Sequence, residues 1–284
     1  MAGEMGKPDY EELDRAYMEG PKRSLDQFGS VIMTSSKWLN SAVFRDVYAQ
    51  EGLRKDGRDV PPTYMVHQAA MAIAELTDEP RLEALIAHEK TLKPEFAAWL
   101  DARSLSDFTV EELEGYAPET LGGIVHDYLS SRGFDLNHSR RGLAPDSDWH
   151  YLAKQKVVSH DIEHIISGLG PNLIGEHALI ACNLKCNYDY FSPELASELT
   201  RMSGFLHSTG AMKISLHSPR LMGEYLTGIQ MGVTMANGMA RPLLINDWRA
   251  YLDWTLEEIR ADLGILNAPP PGTWEWTNEA SRGD

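Results

Sequence analysis

The sequence is short of cysteine, of basic charge and of long apolar runs, and each scarcity closes off a class of function. Only Cys182 and Cys186 occur in 284 residues, which is no secreted disulfide framework. The two thiols fall at i and i+4 of a predicted helix and read as small core residues. The formal net charge is −16, with no basic run to offset it. Such a surface repels phosphate backbones, so no nucleic acid is expected as a partner. It also opposes purely electrostatic adsorption to anionic lipid, while leaving apolar contact with a membrane surface open. No stretch reaches the ~18 uninterrupted apolar residues of a spanning helix. Met1 to Gly20 lacks the basic start and apolar stretch of a signal peptide. The expected location is therefore cytoplasmic, with peripheral contact at the inner face of the membrane as an option. Alternating strand patterns and internal repeats are also missing.

What the sequence does contain is helical periodicity and apolar mass. Hydrophobic residues make up 43% of the chain, enough for a sizeable core without staples, so a metal ion here would serve chemistry rather than folding. Apolar residues recur three or four apart over Ser24 to Gln50, Thr63 to Leu76, Pro80 to His88 and Pro94 to Ala102. Thr109 with Glu112 forms a capping box. Further helices are predicted over Ile124 to Ser131, Trp149 to Ser167, Asn172 to Asn187, Pro193 to His207 and Leu221 to Met239. A last one is capped by Asp247 and ended by Gly264. The expectation is an all-α fold, a single helical domain of about eight to ten helices with a metal site between two of them. Residues 1–23 read as an N-terminal tail, 24–266 as the helical domain with 24–64 an N-terminal helical extension, and 267–284 as a Pro-rich C-terminal tail. Trp274 and Trp276 in that tail are candidates for docking on the domain or on a partner.

The chemistry concentrates in Ser159-His160-Asp161-Ile162-Glu163-His164. At about 100° per residue, His160, Asp161 and His164 share one ~100° arc of a helix, and Val158, Ile162, Ile165 and Ile166 fall on the other side. Two histidines at i and i+4 reach one ion from the same face. Their neutral nitrogens suit zinc, iron, nickel or copper, and carboxylates add harder oxygens that also suit iron and manganese. Glu176 follows after Gly168-Leu169-Gly170-Pro171, a break that lets the chain reverse and lay a second helix alongside. Two histidines plus carboxylates leave positions open for water or substrate, the pattern of a catalytic site. On spacing alone a solvated polar face with a salt-bridged Asp161 remains an equal alternative. Glu163 points away from the arc, His177 turns off the Glu176 face, and His67, His88, His126, His138, His150, His207 and His217 are isolated.

His160-Asp161-x-x-His164, eleven residues and Glu176 together resemble the HDxxH-x11-E signature of the Coq-four family of ubiquinone (coenzyme Q) biosynthesis proteins. The surroundings resemble it as well: Thr120-Leu121-Gly122 ahead of Tyr128-Leu129, Ser167-Gly168-Leu169, Gly175-Glu176-His177-Ala178-Leu179, and Trp254 to Ile265 with Leu256, Arg260 and Leu263-Gly264-Ile265. The resemblance spans roughly 65–265 and leaves an N-terminal extension of ~60 residues and the Cys182–Ser192 segment as individual features. It implies that His160, Asp161, His164 and Glu176 are both metal ligands and catalytic residues for one divalent ion (zinc, iron or manganese). It also implies an all-helical protein peripheral to membranes, able to hold an isoprenoid lipid or prenylated aromatic compound. The implied activity is replacement of the C1 carboxylate of a polyprenylated hydroxybenzoate by hydroxyl. The implied alternative is a lipid-binding scaffold for other quinone-biosynthesis proteins, with a structural metal. A metal-dependent hydrolase is a third reading, and homo-oligomerisation is open.

Two further groups are candidates for substrate binding. Gly228, Gly232, Ala236 and Ala240 recur every four residues beside Met222, Met231, Met235 and Met239. The stripe reads either as tight helix packing or as a smooth channel that Met231 and Met235 line for an isoprenoid tail. Among the cations Lys156, Lys213, Arg140, Arg141, Arg201, Arg220 and Arg241, the Arg140-Arg141 pair ahead of the motif helix is the candidate for binding a carboxylate or phosphate headgroup.

Overall fold

The computed structural model of the chain describes residues 36–55, 65–132, 136 and 143–282. All of the regular structure there is helical, and the one β-type contact is an isolated antiparallel bridge between Thr120 and Thr255. Numbered from the first described helix, α1 is Lys37–Asn40, α2 Ala42–Leu53, α3 Val66–Glu75, α4 Glu79–Leu92 and α5 Pro94–Ala102. Then follow α6 Leu121–Arg132, α7 Asp148–Val158, α8 His160–Ser167, α9 Leu173–Tyr190 and α10 Pro193–Leu199. The series ends with α11 Arg201–His217, α12 Met222–Ala236, α13 Leu256–Leu263 and α14 Trp276–Arg282. The 1–23 segment and most of Phe134 to Gly142 lie outside the described residues, as does part of the 24–64 extension.

Fourteen helices among the described residues exceed the about eight to ten that periodicity suggests. The excess has one physical origin in three places. The predicted helices over 24–50, 149–167 and from Pro193 are each interrupted at a hydroxyl residue, Ser41, Ser159 and Thr200, with no glycine or proline at the break. Such side chains offer nearby groups hydrogen bonds that compete with the helical ladder. Ser41 Oγ accepts from Phe44 N–H at 3.1 Å, Ser159 Oγ donates to the Glu163 carboxylate at 2.8 Å, and Thr200 Oγ donates to the Ala196 carbonyl at 2.7 Å. A fourth difference lies near the C-terminus. Asp247 caps only a short 3-10 turn, Trp248–Tyr251. The helix that Gly264 ends is opened instead by Thr255, in a capping box with Glu258.

Helix α9 is the axis of the fold, packed by α12, α11, α10, α8 and α14. Ile174, Ala178, Leu179, Cys182 and Cys186 on it belong to the largest apolar cluster, shared with Val158, Ile162 and Ile166 beneath the HDxxH segment. Each such side chain removed from water contributes about 1.5–3 kcal/mol. A second cluster joins α4, α5, α7 and α10, and a third joins α2 and α3 to Phe205 of α11. Lys213 of α11 and Glu51 of α2, both buried, pair at 2.5 Å beside that third cluster.

Residues 267–282 are tied to the domain. Trp274 is 3% exposed and donates Nε1–H to Glu224 at 3.2 Å. Asn278 Oδ1 accepts from Leu173 N–H at 2.9 Å, which satisfies one of the orphan donors at the start of α9. Trp276 is 52% exposed. No helix of the described residues is long and apolar enough to cross a membrane.

Candidate metal centre

The site is built where α8 hands over to α9. Helix α8 ends at Gly168, whose φ of 74° is left-handed, a conformation that glycine adopts without a side-chain penalty. Arg260 of α13 fixes that end by donating to the Ile166 carbonyl at 2.7 Å. Helix α9 begins with Asn172 as N-cap, its side chain accepting from Gly175 N–H. This tight reversal sets Glu176, in the first turn of α9, opposite the histidine face of α8.

His160, His164 and Glu176 then converge, with one ligand atom from each lying within 4.8 Å of the others. Glu176 Oε1 is 3.1 Å from His164 Nε2 and Oε2 is 3.6 Å from His160 Nε2. The two rings meet edge to face with centroids 4.7 Å apart. Both histidines turn Nε2 inward because the fold occupies Nδ1. His164 Nδ1–H donates to the Leu169 carbonyl, and His160 Nδ1 lies 3.4 Å from Asp161 Oδ1. A histidine that gives its other ring nitrogen to a carbonyl or carboxylate has its tautomer and orientation set for metal ligation.

This donor set could hold a divalent ion. Bonds of ~2.0–2.2 Å to nitrogen and oxygen in tetrahedral geometry place neighbouring donors roughly 3.3–3.6 Å apart. Each imidazole meets its own Glu176 oxygen at 3.1 or 3.6 Å, and the three ligand atoms need close only slightly from within 4.8 Å of one another. Three protein donors leave at least one position open. The site is also reachable, since the His160 and Glu176 side chains are 43% and 38% exposed while that of His164 is 3% exposed. Burial alone would lower the pKa of His160, but the negative charge of Glu176 and the Asp161 hydrogen bond raise it well above the ordinary histidine value. Burial would likewise raise Glu176, and the two imidazoles instead hold its carboxyl well below the usual range.

The spacing argument brings together three of its four residues. Asp161 stands beside the cluster, on the outer nitrogen of His160. Glu163 points to the α9 interface, and His177 is buried against Gly210 and Tyr225, its pKa pushed down to about 4 chiefly by burial. The anchoring carbonyl of Leu169 had no signature in the sequence, because any residue supplies a carbonyl.

The remaining candidates fall elsewhere. Arg140 and Arg141 lie outside the described residues. Gly228 and Gly232 face α9 and not a cavity. A Cβ on Gly232 would overlap the Ala178 carbonyl oxygen, and one on Gly228 would come 2.7 Å from Ile174 Cγ2. Met235 is 1% exposed in the main core, and Met231 packs half-buried against it. At Gly228 and Gly232 the small-residue stripe is thus a close helix contact. Four of the other cations are engaged: Lys156 donates to the Leu199 carbonyl, Lys213 pairs with Glu51, Arg201 with Glu198, and Arg241 with Asp262.

No protein-family model matches the sequence, and no curated protein matches it significantly. Among solved structures, a crystal structure of a "putative ubiquinone biosynthesis protein" from Nostoc punctiforme superposes with a TM-score of 0.60 at 24% sequence identity. The match covers 97% of that chain and 78% of this one. The two proteins therefore share a fold, and about a fifth of the present chain has no counterpart in the other.

Proposed function

We propose that this chain is a metal-dependent protein of the ubiquinone-biosynthesis, Coq-four type. In this reading it replaces the C1 carboxylate of a polyprenylated hydroxybenzoate, or a related aromatic acid, by hydroxyl. One observation carries the reading: two imidazole Nε2 atoms and a carboxylate converge at metal-ligating distances on an accessible face. The fold shared with the Nostoc protein supports the pathway.

His160, His164 and Glu176 would hold the ion. When bound, it supplies Lewis-acid polarisation of a phenolic or carboxylate oxygen and, if iron, one-electron chemistry toward dioxygen. The protein's own part is orientation. The Leu169 carbonyl keeps a proton on Nδ1 of His164, and Asp161 does the same for His160, so that each Nε2 lone pair stays inward. Asp161 is also placed to take a proton from a substrate hydroxyl entering beside His160. Overall the carboxyl carbon leaves as carbon dioxide and a hydroxyl takes its ring position, a two-electron oxidation in which dioxygen is the acceptor, so that aromatic acid, dioxygen and water would give hydroxylated ring, carbon dioxide and hydrogen peroxide.

The test is to incubate metal-loaded protein with a prenylated 4-hydroxybenzoate under air while following product, carbon dioxide and oxygen. The expected result is hydroxylated ring and carbon dioxide in equal amounts with oxygen consumed, and none with His164→Ala. Ester cleavage without oxygen demand would replace this reading by a hydrolase. Co-purified isoprenoid with no turnover would replace it by a lipid-binding scaffold.

A further inference from the structure

Glu163 is a buried carboxylate that the metal cluster does not use. It sits between the two metal-binding histidines in sequence, yet its side chain turns to the α8–α9 interface and is 3% exposed. Ser159 Oγ donates to its Oε1 at 2.8 Å and Asn183 Nδ2 to its Oε2 at 2.8 Å. The backbone carbonyl of Asn183 accepts in turn from Asn187 Nδ2 at 2.7 Å.

No lysine or arginine pairs with Glu163 among the described residues. A buried charge that lacks a counter-ion is costly, because two neutral hydrogen bonds do not replace the water it has lost. The same helix carries His160 and His164, one on each side of Glu163 in sequence, and the cluster they form with Glu176 would supply the missing positive charge when it holds a divalent ion. The geometry argues the same way. Ser159 and Asn183 fix the carboxylate so that it cannot swing round to ligate, which leaves its field as the contribution it can make to the centre.

We propose that Glu163 is the counter-charge of the metal centre: a non-ligating, buried carboxylate that raises the affinity of His160, His164 and Glu176 for a divalent cation. This rests on the metal reading above. It makes Glu163 a positioning residue for the ion's charge, acting through the low-dielectric helix interface, where charges interact more strongly than in water.

The experiment measures zinc and manganese affinity by competition with a chromophoric chelator, together with the melting temperature of metal-free protein. The chains compared are the full-length wild type, Glu163→Gln and Glu163→Asp. Glutamine can keep both contacts, accepting from Asn183 and donating to the Ser159 hydroxyl. The expected result for Glu163→Gln is affinity lower by about tenfold to a hundredfold, the range of outer-shell effects on metal sites, with apo melting unchanged or higher. Glu163→Asp, which keeps the charge and loses packing, should melt lower yet hold affinity within about threefold of wild type. Wild-type affinity in Glu163→Gln, or equal weakening in both variants, would overturn the counter-charge and leave the metal centre standing. Wild type that takes up neither ion would overturn both.

Discussion

Helix α9 treats two of its neighbours in opposite ways. Toward α8 it presents Glu176 and Asn183, and that interface is assembled from polar side chains meeting at hydrogen-bond distance. Toward α12 it presents the backbone of Ala178 and Cys182 opposite Gly232 and the Ile174 side chain opposite Gly228, and the two glycines let the partner close on it. The first contact is specified by groups that cost free energy to bury unless they are partnered. The second is specified by the absence of atoms, and tolerates none being added. One helix can therefore carry a reactive face that is open to solvent because its opposite face is locked.

The largest expected effect strikes the polar side. His164→Ala removes a ligand and should weaken metal binding by at least about a hundredfold, beyond the outer-shell range. Circular dichroism should still report a helical protein. Loss of helix together with loss of metal would show that the two faces are not separable.

Next comes the locked side. Gly232→Ala should destabilise by about 2–3 kcal/mol, since its Cβ meets backbone that cannot rotate away. Gly228→Ala should cost less, about 1–2 kcal/mol. The nearest atom is Cγ2 of buried Ile174, which moves only with its whole side chain, while alanine recovers part of the cost as helix propensity. Urea denaturation distinguishes the two, and both variants should bind metal at wild-type stoichiometry when folded. Equal effects at the two positions would break the contact model.

The pH dependence follows from the raised His160 value. A group whose pKa is raised in the folded state holds its proton to higher pH, so stability from the His160–Glu176 pair in metal-free protein is present below the ordinary histidine value. It is lost as pH rises through the shifted one. Glu176, shifted down, adds the acid limit: its share is present above the ordinary carboxylate range and is lost as pH falls through its lowered value. A metal ion must displace the His160 proton. Affinity should therefore climb with pH through a range above about 6.5, with proton release visible as a buffer-dependent heat of binding. An affinity flat from pH 6 to 9 would contradict it.

The smallest effect is a probe of the seam. Cys182 and Cys186 are buried, and burial pushes the Cys186 thiol up to about 12 and Cys182 higher still than an ordinary thiol. Iodoacetamide at pH 8 should label neither in folded wild type and both in denaturant. Partial labelling in Gly232→Ala would locate that variant's damage between α9 and α12.

The convergence of His160, His164 and Glu176 was half legible in local features, two histidines at i and i+4, a glycine–proline break and a glutamate one turn into the next helix. Spacing alone left a solvated polar face as an equal alternative, and the resemblance to the HDxxH-x11-E signature favoured a metal site. The all-helical class was legible through periodicity. What stayed hidden depends on partners distant in the chain. Glu163 could be set aside as a ligand from its angle on the helix, but nothing adjacent announces that Asn183 will receive it. Nothing in the small-residue stripe announces that Ala178 will lie against Gly232. Helix breaks at Ser41, Ser159 and Thr200 escaped because serine and threonine are common inside helices, and their effect turns on which acceptor or donor stands nearby. The docking of Trp274 under Glu224 likewise joins residues fifty apart.

The most direct test of the central claim is elemental analysis of protein purified without chelator or added metal, beside His164→Ala. The account expects about one equivalent of zinc, iron or manganese per wild-type chain and its loss in the variant. A gentle preparation that holds no metal, and takes up none on reconstitution, would contradict it.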